Sequence, residues 1–392
     1  MAFNRLRFPL IAVSLFVLLA ALWAGLVRLG WAWPALQPAL PLAHGPLMVS
    51  GFLGTLIGVE RAVALRSPWT YLGPVATALG SLLLIFRIGG VAGPLLLSLG
   101  GVGLVLVFAS LLRQHRALYV AVMAVGSAAW LIGNLLWFSG WPVFQVVLWW
   151  AGFLILTIAG ERLELGRLVR LPRRAELAFV GAAVLLLLGM LVSVFSYDLG
   201  TRLGGLGMLA LAAWLLRYDI ARRTVRKPGL TRFIATCLLA GYAWLAAAGS
   251  MGLWFGGTAA GPRYDAFLHA IFLGFVFSMI FGHAPIIFPA VLGRQIRFTR
   301  ASYLYLALLH FSLLLRVTGD LAGAVTLRLW GGLLNGLALL LFLGATAVTL
   351  LVSSRLSRGI SETGSSQVNR SQLGRAALDH RVESDPRSRV RR

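Results

Sequence analysis

The sequence predicts an all-α fold, a polytopic transmembrane helix bundle of about twelve spans, and three observations predict it. Of its 392 residues, 59% are hydrophobic and 12% charged, at a mean hydropathy of +0.86, a composition no water-soluble core could carry. Apolar runs of about twenty residues recur along the chain, the length that crosses a hydrocarbon core of about 30 Å at about 1.5 Å per residue. The basic residues behind the net charge of +23 collect in alternate loops, as cytoplasmic loops do.

The first span covers 8–29 behind Asn4-Arg5-Leu6-Arg7; no small-residue cleavage site follows, so it reads as a retained span rather than a signal peptide. The second, 43–64, opens at His44 and carries Gly51, Gly54 and Gly58, small residues that let helices approach closely. The third and fourth, 70–89 and 91–112, meet at Gly89-Gly90 with almost no loop. The fifth, 117–138, and the sixth, 141–160, contain the polar Asn134 and Gln145. The seventh is 176–197 and the eighth a short 201–217, which leaves the count at eleven or twelve. The ninth, 232–255, holds Cys237, the single cysteine, so neither an intramolecular disulfide nor a Cys-x-x-Cys-His haem attachment is available. The tenth, 265–292, has Pro285 and Pro289 just past His283, where they are expected to kink or unwind it. The eleventh, 301–318, carries His310 and Arg316, and the twelfth, 326–352, carries Asn335.

Arg5 and Arg7, Arg61 and Arg66, Arg113 and Arg116, and the loops at 162–174, 217–232 and 294–300 fall on one side. Isolated Arg28, Arg87, Arg202, Arg263, Arg316 and Arg328 fall on the other. The positive-inside rule therefore places both termini in the cytoplasm. The domain division is a transmembrane domain over 1–355 and a disordered basic cytoplasmic tail over 356–392, whose Ser, Arg, Gln and Glu lack apolar periodicity. With the arginines sorted this way, the positive charge points to lipid headgroups and not to nucleic acid.

Four of the six histidines, His44, His269, His283 and His310, lie inside spans, and ligand-type side chains at that depth point to function. Spans two and ten run in the same direction, so His44 and His269 share a level near the outer surface. Two imidazoles from neighbouring helices suit both axial positions of a haem iron. His283 follows His269 by 14 residues, about 21 Å along a helix and about 40° short of whole turns. His310 returns at a comparable depth, which allows an inner pair and a second haem. Imidazoles also suit copper, although two are too few to name the metal. Arg316 and Arg87, at outer helix ends, have the planar guanidinium that matches haem propionates. The alternative for each histidine is a hydrogen bond to a backbone carbonyl or hydroxyl, and for each arginine a position among the headgroups.

At His44-Gly45-Pro46-Leu47-Met48 and at His269 through Gly293 the chain resembles the haem-copper oxidase superfamily, and within it the NnrS-like membrane proteins of the nitric oxide response. The first stretch is similar to the oxidase second helix and the second to its tenth. The resemblance implies that His44 and His269 form a bis-histidine pair, and it adds Met48 to a cofactor-binding set of His44, His269, Arg316 and Arg87. Glu60-Arg61 ends span two and Glu161-Arg162 ends span six, four helices apart, as in three pseudo-repeats of four helices. The chain departs from that family in two places: no histidine occurs between His115 and His269 to form a copper site, and Phe267 stands where the tenth helix carries its second histidine. Oxygen or nitric oxide reduction by the known mechanism is not expected.

The expectation is thus a haem b protein of the bacterial inner membrane that senses, relays electrons for, or defends against nitric oxide or redox stress. Its expected partners are lipid, haem, and a redox protein or quinone. Two alternatives remain. A cofactor-free transporter would use Asn134, Gln145, Asn335 and His310 along a path, with broken helices near Pro285 and Pro289. A scaffold or assembly subunit would keep the fold without a site. No phosphate-binding loop, His-Glu-x-x-His or paired buried carboxylates indicate a soluble catalytic domain.

Overall fold

The computed structural model describes residues 5–34, 37–167, 171–292 and 298–350, so the proposed tail over 356–392 lies outside the described residues. Among them there is no strand, and twelve helices are long and apolar enough to cross a membrane. They are α1 (Arg7–Leu29), α2 (Leu40–Leu65), α3 (Pro68–Phe86), α4 (Ala92–Gln114), α5 (Leu118–Phe138), α6 (Val143–Gly166), α7 (Arg173–Ser193), α8 (Tyr197–Tyr218), α9 (Leu230–Phe255), α10 (Pro262–Pro289), α11 (Ser302–Ala322) and α12 (Val325–Leu350). The protein is an all-α, multi-pass membrane protein whose spans fall within a few residues of those read from the sequence.

Consecutive helices pack side by side, and α12 lies against α1. Trp31 Nε1 donates to the Leu329 carbonyl at 3.4 Å, and a Cβ on Gly336 would touch Leu26. The α6 helix runs through the middle and is buried along most of its length, with Trp150, Phe153 and Ile155 fully enclosed. Its apolar residues occupy every face, as a central helix requires. Small residues set the closest crossings: α3 and α4 touch through Gly73, Gly100 and Gly103, where backbone meets backbone.

Two features differ from the sequence reading. The eighth span is a full 22 residues, Tyr197–Tyr218, because Tyr197 and Asp198 start the helix before the apolar run does. The tenth departs from α-helical geometry ahead of its prolines rather than at them. Ala270–Phe277 winds as a π-helix, while Ser278–Leu292 is α-helical with Pro285 and Pro289 inside it. The α2 helix shows the same device. A 3-10 turn at Leu40–Ala43 leads into one α turn at His44–Pro46, then a π-helix at Leu47–Leu53, then α again from Gly54. Such wide turns concentrate at functional sites.

Candidate functional site

A cavity opens at the end of the bundle where α1 finishes and α2, α6, α10 and α12 begin. It encloses about 220 Å³ for water-sized occupants, within about 1410 Å³ of unfilled space that includes its mouth. His44, Met48, His269 and Arg316 all line it, with Asp265 and Arg328 near the mouth. Four of the five residues the sequence singled out for a cofactor therefore meet at one place. The fifth, Arg87, is an exposed residue capping α3 in the left-handed conformation (φ 56°), away from this wall.

The two imidazoles face each other across the cavity, with ring centroids 6.5 Å apart and planes inclined by 20°. His44 Nδ1 lies 2.7 Å from the Ala21 carbonyl on α1, and His269 Nδ1 lies 2.8 Å from the Asp265 carbonyl one turn earlier. A carbonyl only accepts, so each Nδ1 carries the proton and donates. Each neutral ring then keeps a lone pair on Nε2, the arrangement of a metal-ligating histidine. The ring of His44 has room because residue 25 is glycine: a Cβ there would sit 2.7 Å from His44 Cε1.

His269 has a further neighbour. Asp265 Oδ1 is 3.4 Å from its Nδ1, and the same carboxylate receives Arg316 in a forked pair, Nε to Oδ2 at 2.8 Å and Nη2 to Oδ1 at 3.0 Å. Behind it, Arg328 of α12 pairs with the buried Asp320 of α11 at 2.9 Å. The sequence points to Arg316 as a propionate partner; the structure shows it holding Asp265.

The deepest residue of α10 on the cavity wall is Phe277, which floors it, and Phe52 packs behind that ring. Phe52 of α2 stacks on Phe277 of α10, with centroids 6.1 Å apart and planes at 15°. Each lies eight residues after its helix's histidine, and the π-helical winding of both segments keeps histidine and phenylalanine on one side. The His-x7-Phe spacing occurs twice in the sequence and was the signal that could have revealed this layer. Trp150 flanks the floor, and its Nε1 donates to Asn134 Oδ1 at 3.0 Å. The same oxygen accepts from Ser50 at 2.7 Å, while Asn134 Nδ2 donates to the Leu97 carbonyl at 3.1 Å. Asn134 is thereby committed to holding α2, α4, α5 and α6 together.

The other two intramembrane histidines have separate surroundings. His310 Nδ1 accepts from Trp244 Nε1 at 3.0 Å, and Trp244 packs level with Gly274. His283 donates from Nδ1 to the Met279 carbonyl at 2.7 Å, next to Gly282, which packs level with Cys237. Gly274 and His283 are nine residues apart on α10, roughly 12 Å along the axis. Among the described residues no ring contact joins His283 to His310, and no group of three or more His, Cys, Asp or Glu could hold a metal ion.

At the opposite end, Arg61 of α2 reaches across to Glu161 of α6, and also lies 3.7 Å from Glu60. Arg162 forks onto Asp219 at 2.7 and 3.1 Å, both side chains almost wholly buried. The two Glu-Arg pairs noticed in the sequence thus link α2, α6 and the end of α8.

No curated protein and no solved structure matches the chain. A model of a domain of unknown function, DUF8744, matches residues 7–352, all twelve membrane helices, and the chain belongs to the DUF8744 family.

Proposed function

We propose that the cavity holds a b-type haem between His44 and His269, and that the protein is a bacterial inner-membrane haem protein responding to nitric oxide or a related redox stress by sensing, electron relay or defence. The observation that carries this reading is the facing pair of imidazoles with unprotonated Nε2 atoms. An iron held by both would need about 2.0 Å to each nitrogen and roughly 1.1 Å more to each ring centre, or about 6.2 Å in all. The rings stand 6.5 Å apart. The donor set fits iron, and Gly261 leaves open space on the cavity wall where a Cβ would meet nothing within 4 Å. The resemblance of the two histidine stretches to haem-copper oxidases and NnrS-like proteins points the same way.

The haem would supply an iron that changes oxidation state or binds a diatomic ligand. The chain's own residues do the rest. Ala21 and Asp265 fix the orientation and tautomer of the two imidazoles through Nδ1. The Phe52–Phe277 stack and Trp150 exclude water from the inner side. Arg28 stands exposed at the mouth and offers a cation to carboxylates leaving the cavity. On this reading the mouth faces outward and both termini are cytoplasmic, as the arginine-rich loops favour. One haem per chain is proposed, since His283 and His310 have different neighbours at different levels.

A transporter is the second reading, favoured by a cavity open at one end and closed by an aromatic pair at the other. Absorption spectra of the oxidised and dithionite-reduced protein, purified in mild detergent after haem-supplemented expression, separate the two. Bis-imidazole bands that vanish in the His44→Ala/His269→Ala double variant support the haem. A folded, colourless and metal-free wild type refutes it and leaves the transporter or a scaffold.

A further inference from the structure

The two histidines are not equivalent. His269 Nδ1–H is directed at the Asp265 carbonyl and lies beside the Asp265 carboxylate, which Arg316 clamps through two bonds. Arg316 is itself only 8% exposed, so this clamp is not competing with bulk water. The support comes from α10 and α11 together, with the Arg328–Asp320 pair bracing α12 alongside. His44 Nδ1–H, by contrast, has one neutral carbonyl, Ala21 of α1, and no charged group within hydrogen-bond reach. Its backbone is a single α turn between a 3-10 turn and a π-helix.

We infer that His269 is the permanent ligand and His44 the exchangeable one, and that the site takes up a small neutral diatomic in place of His44, with Asp265 as the positioning residue that sets the asymmetry. This rests on the haem reading above. A carboxylate beside Nδ1–H draws that proton toward itself and makes Nε2 a stronger donor. His269 would then hold the group more firmly than His44, which has less to hold it. The exchange is a substitution. His44 would give up its place as a ligand with its lone pair intact and the diatomic would take that place, with no electron or proton transferred. The released ring stays tethered by its chain, so it rebinds when the diatomic leaves.

Carbon monoxide on the dithionite-reduced full-length protein is the probe, with haem content, midpoint potential and elution volume recorded for each variant. In wild type we expect carbon monoxide to displace one axial ligand. His44→Gly should keep most of its haem, turn five-coordinate and bind carbon monoxide at least about tenfold faster, because no ligand has to leave first. His269→Gly should lose most of its haem. Asp265→Asn, which keeps the shape and loses the charge, should retain haem, weaken carbon monoxide displacement about tenfold and raise the midpoint potential by about 59 mV, the equivalent of tenfold for one electron. Asp265→Glu should recover part of both.

The inference is overturned if wild type carries bis-imidazole haem that carbon monoxide does not displace. It is equally overturned if the two glycine variants lose haem alike, or if Asp265→Asn matches wild type in potential and carbon monoxide affinity. Those failures leave the haem reading intact, whereas a colourless folded wild type removes both.

Discussion

Gly25 is the position at which the smallest chemical change should disturb the site most. An added methyl group would lie 2.7 Å from His44 Cε1 and 2.8 Å from Nδ1, where ordinary contacts begin at 3.4 Å. The imidazole must therefore retreat by about 0.7 Å, the difference between 3.4 and 2.7 Å. Its 2.7 Å bond to the Ala21 carbonyl then stretches toward about 3.4 Å, beyond the usual limit of about 3.2 Å. Losing that bond costs about 1 kcal/mol, and overpacking of this kind about 1–3 kcal/mol. Together these come to about 2–4 kcal/mol, so at about 1.4 kcal/mol per tenfold haem affinity in Gly25→Ala should fall roughly 30- to 700-fold. The assay is haem transfer to an apo-globin acceptor, followed by the decay of the Soret band in wild type, Gly25→Ala and Gly336→Ala. The last variant is the control, since its added Cβ would meet Leu26 at an ordinary 3.8 Å in the same cavity wall. Identical transfer by all three proteins would refute the packing argument and with it the placement of His44.

Three further outcomes follow from groups other than the two histidines. Arg162→Ala strands the Asp219 carboxylate in a buried site, so thermal unfolding in detergent should report a loss of about 3–5 kcal/mol, and the Arg162→Met/Asp219→Leu pair should recover most of it. Asn134→Leu removes the acceptor shared by Ser50 and Trp150; each orphaned donor costs about 1–3 kcal/mol, and tryptophan fluorescence should report a repositioned Trp150. Phe52→Ala with Phe277→Ala takes away the floor of the cavity, with a cost of about 3–5 kcal/mol for each ring. In the doubly substituted protein, water penetration should accelerate loss of reduced haem to oxygen, measured by stopped-flow; an unchanged rate would mean that the rings do not seal the site.

The twelve helices were legible because each announces itself by length and hydropathy, and a membrane leaves few other solutions for an apolar run. His44 and His269 were legible because an imidazole at that depth is conspicuous and because their helices run in the same direction. The inner pairing of His283 with His310 was drawn from depth along straight α-helices. The structure gives the two rings separate partners, the Met279 carbonyl for His283 and Trp244 Nε1 for His310. Gly25 looked like any other membrane glycine, since its role depends on the ring across from it. Asp265 and Arg316 are 51 residues apart, and nothing in one sequence ties a carboxylate on one helix to a guanidinium on the next when both stand near a surface.

The wide turns of α2 and α10 make the site depend on chain length as much as on side chains. A π-helical stretch is an α-helix accommodating one residue too many, so deleting a single residue such as Val49 from Leu47–Leu53 would let the segment relax to α winding. After that deletion His44 would keep roughly its present bearing, whereas α winding with all seven residues retained would turn it by about 100° and out of the cavity, although every contact residue named above was still present. A scan of substitutions would never find this dependence, because it is stored in the count of residues between two rings rather than in the identity of any of them.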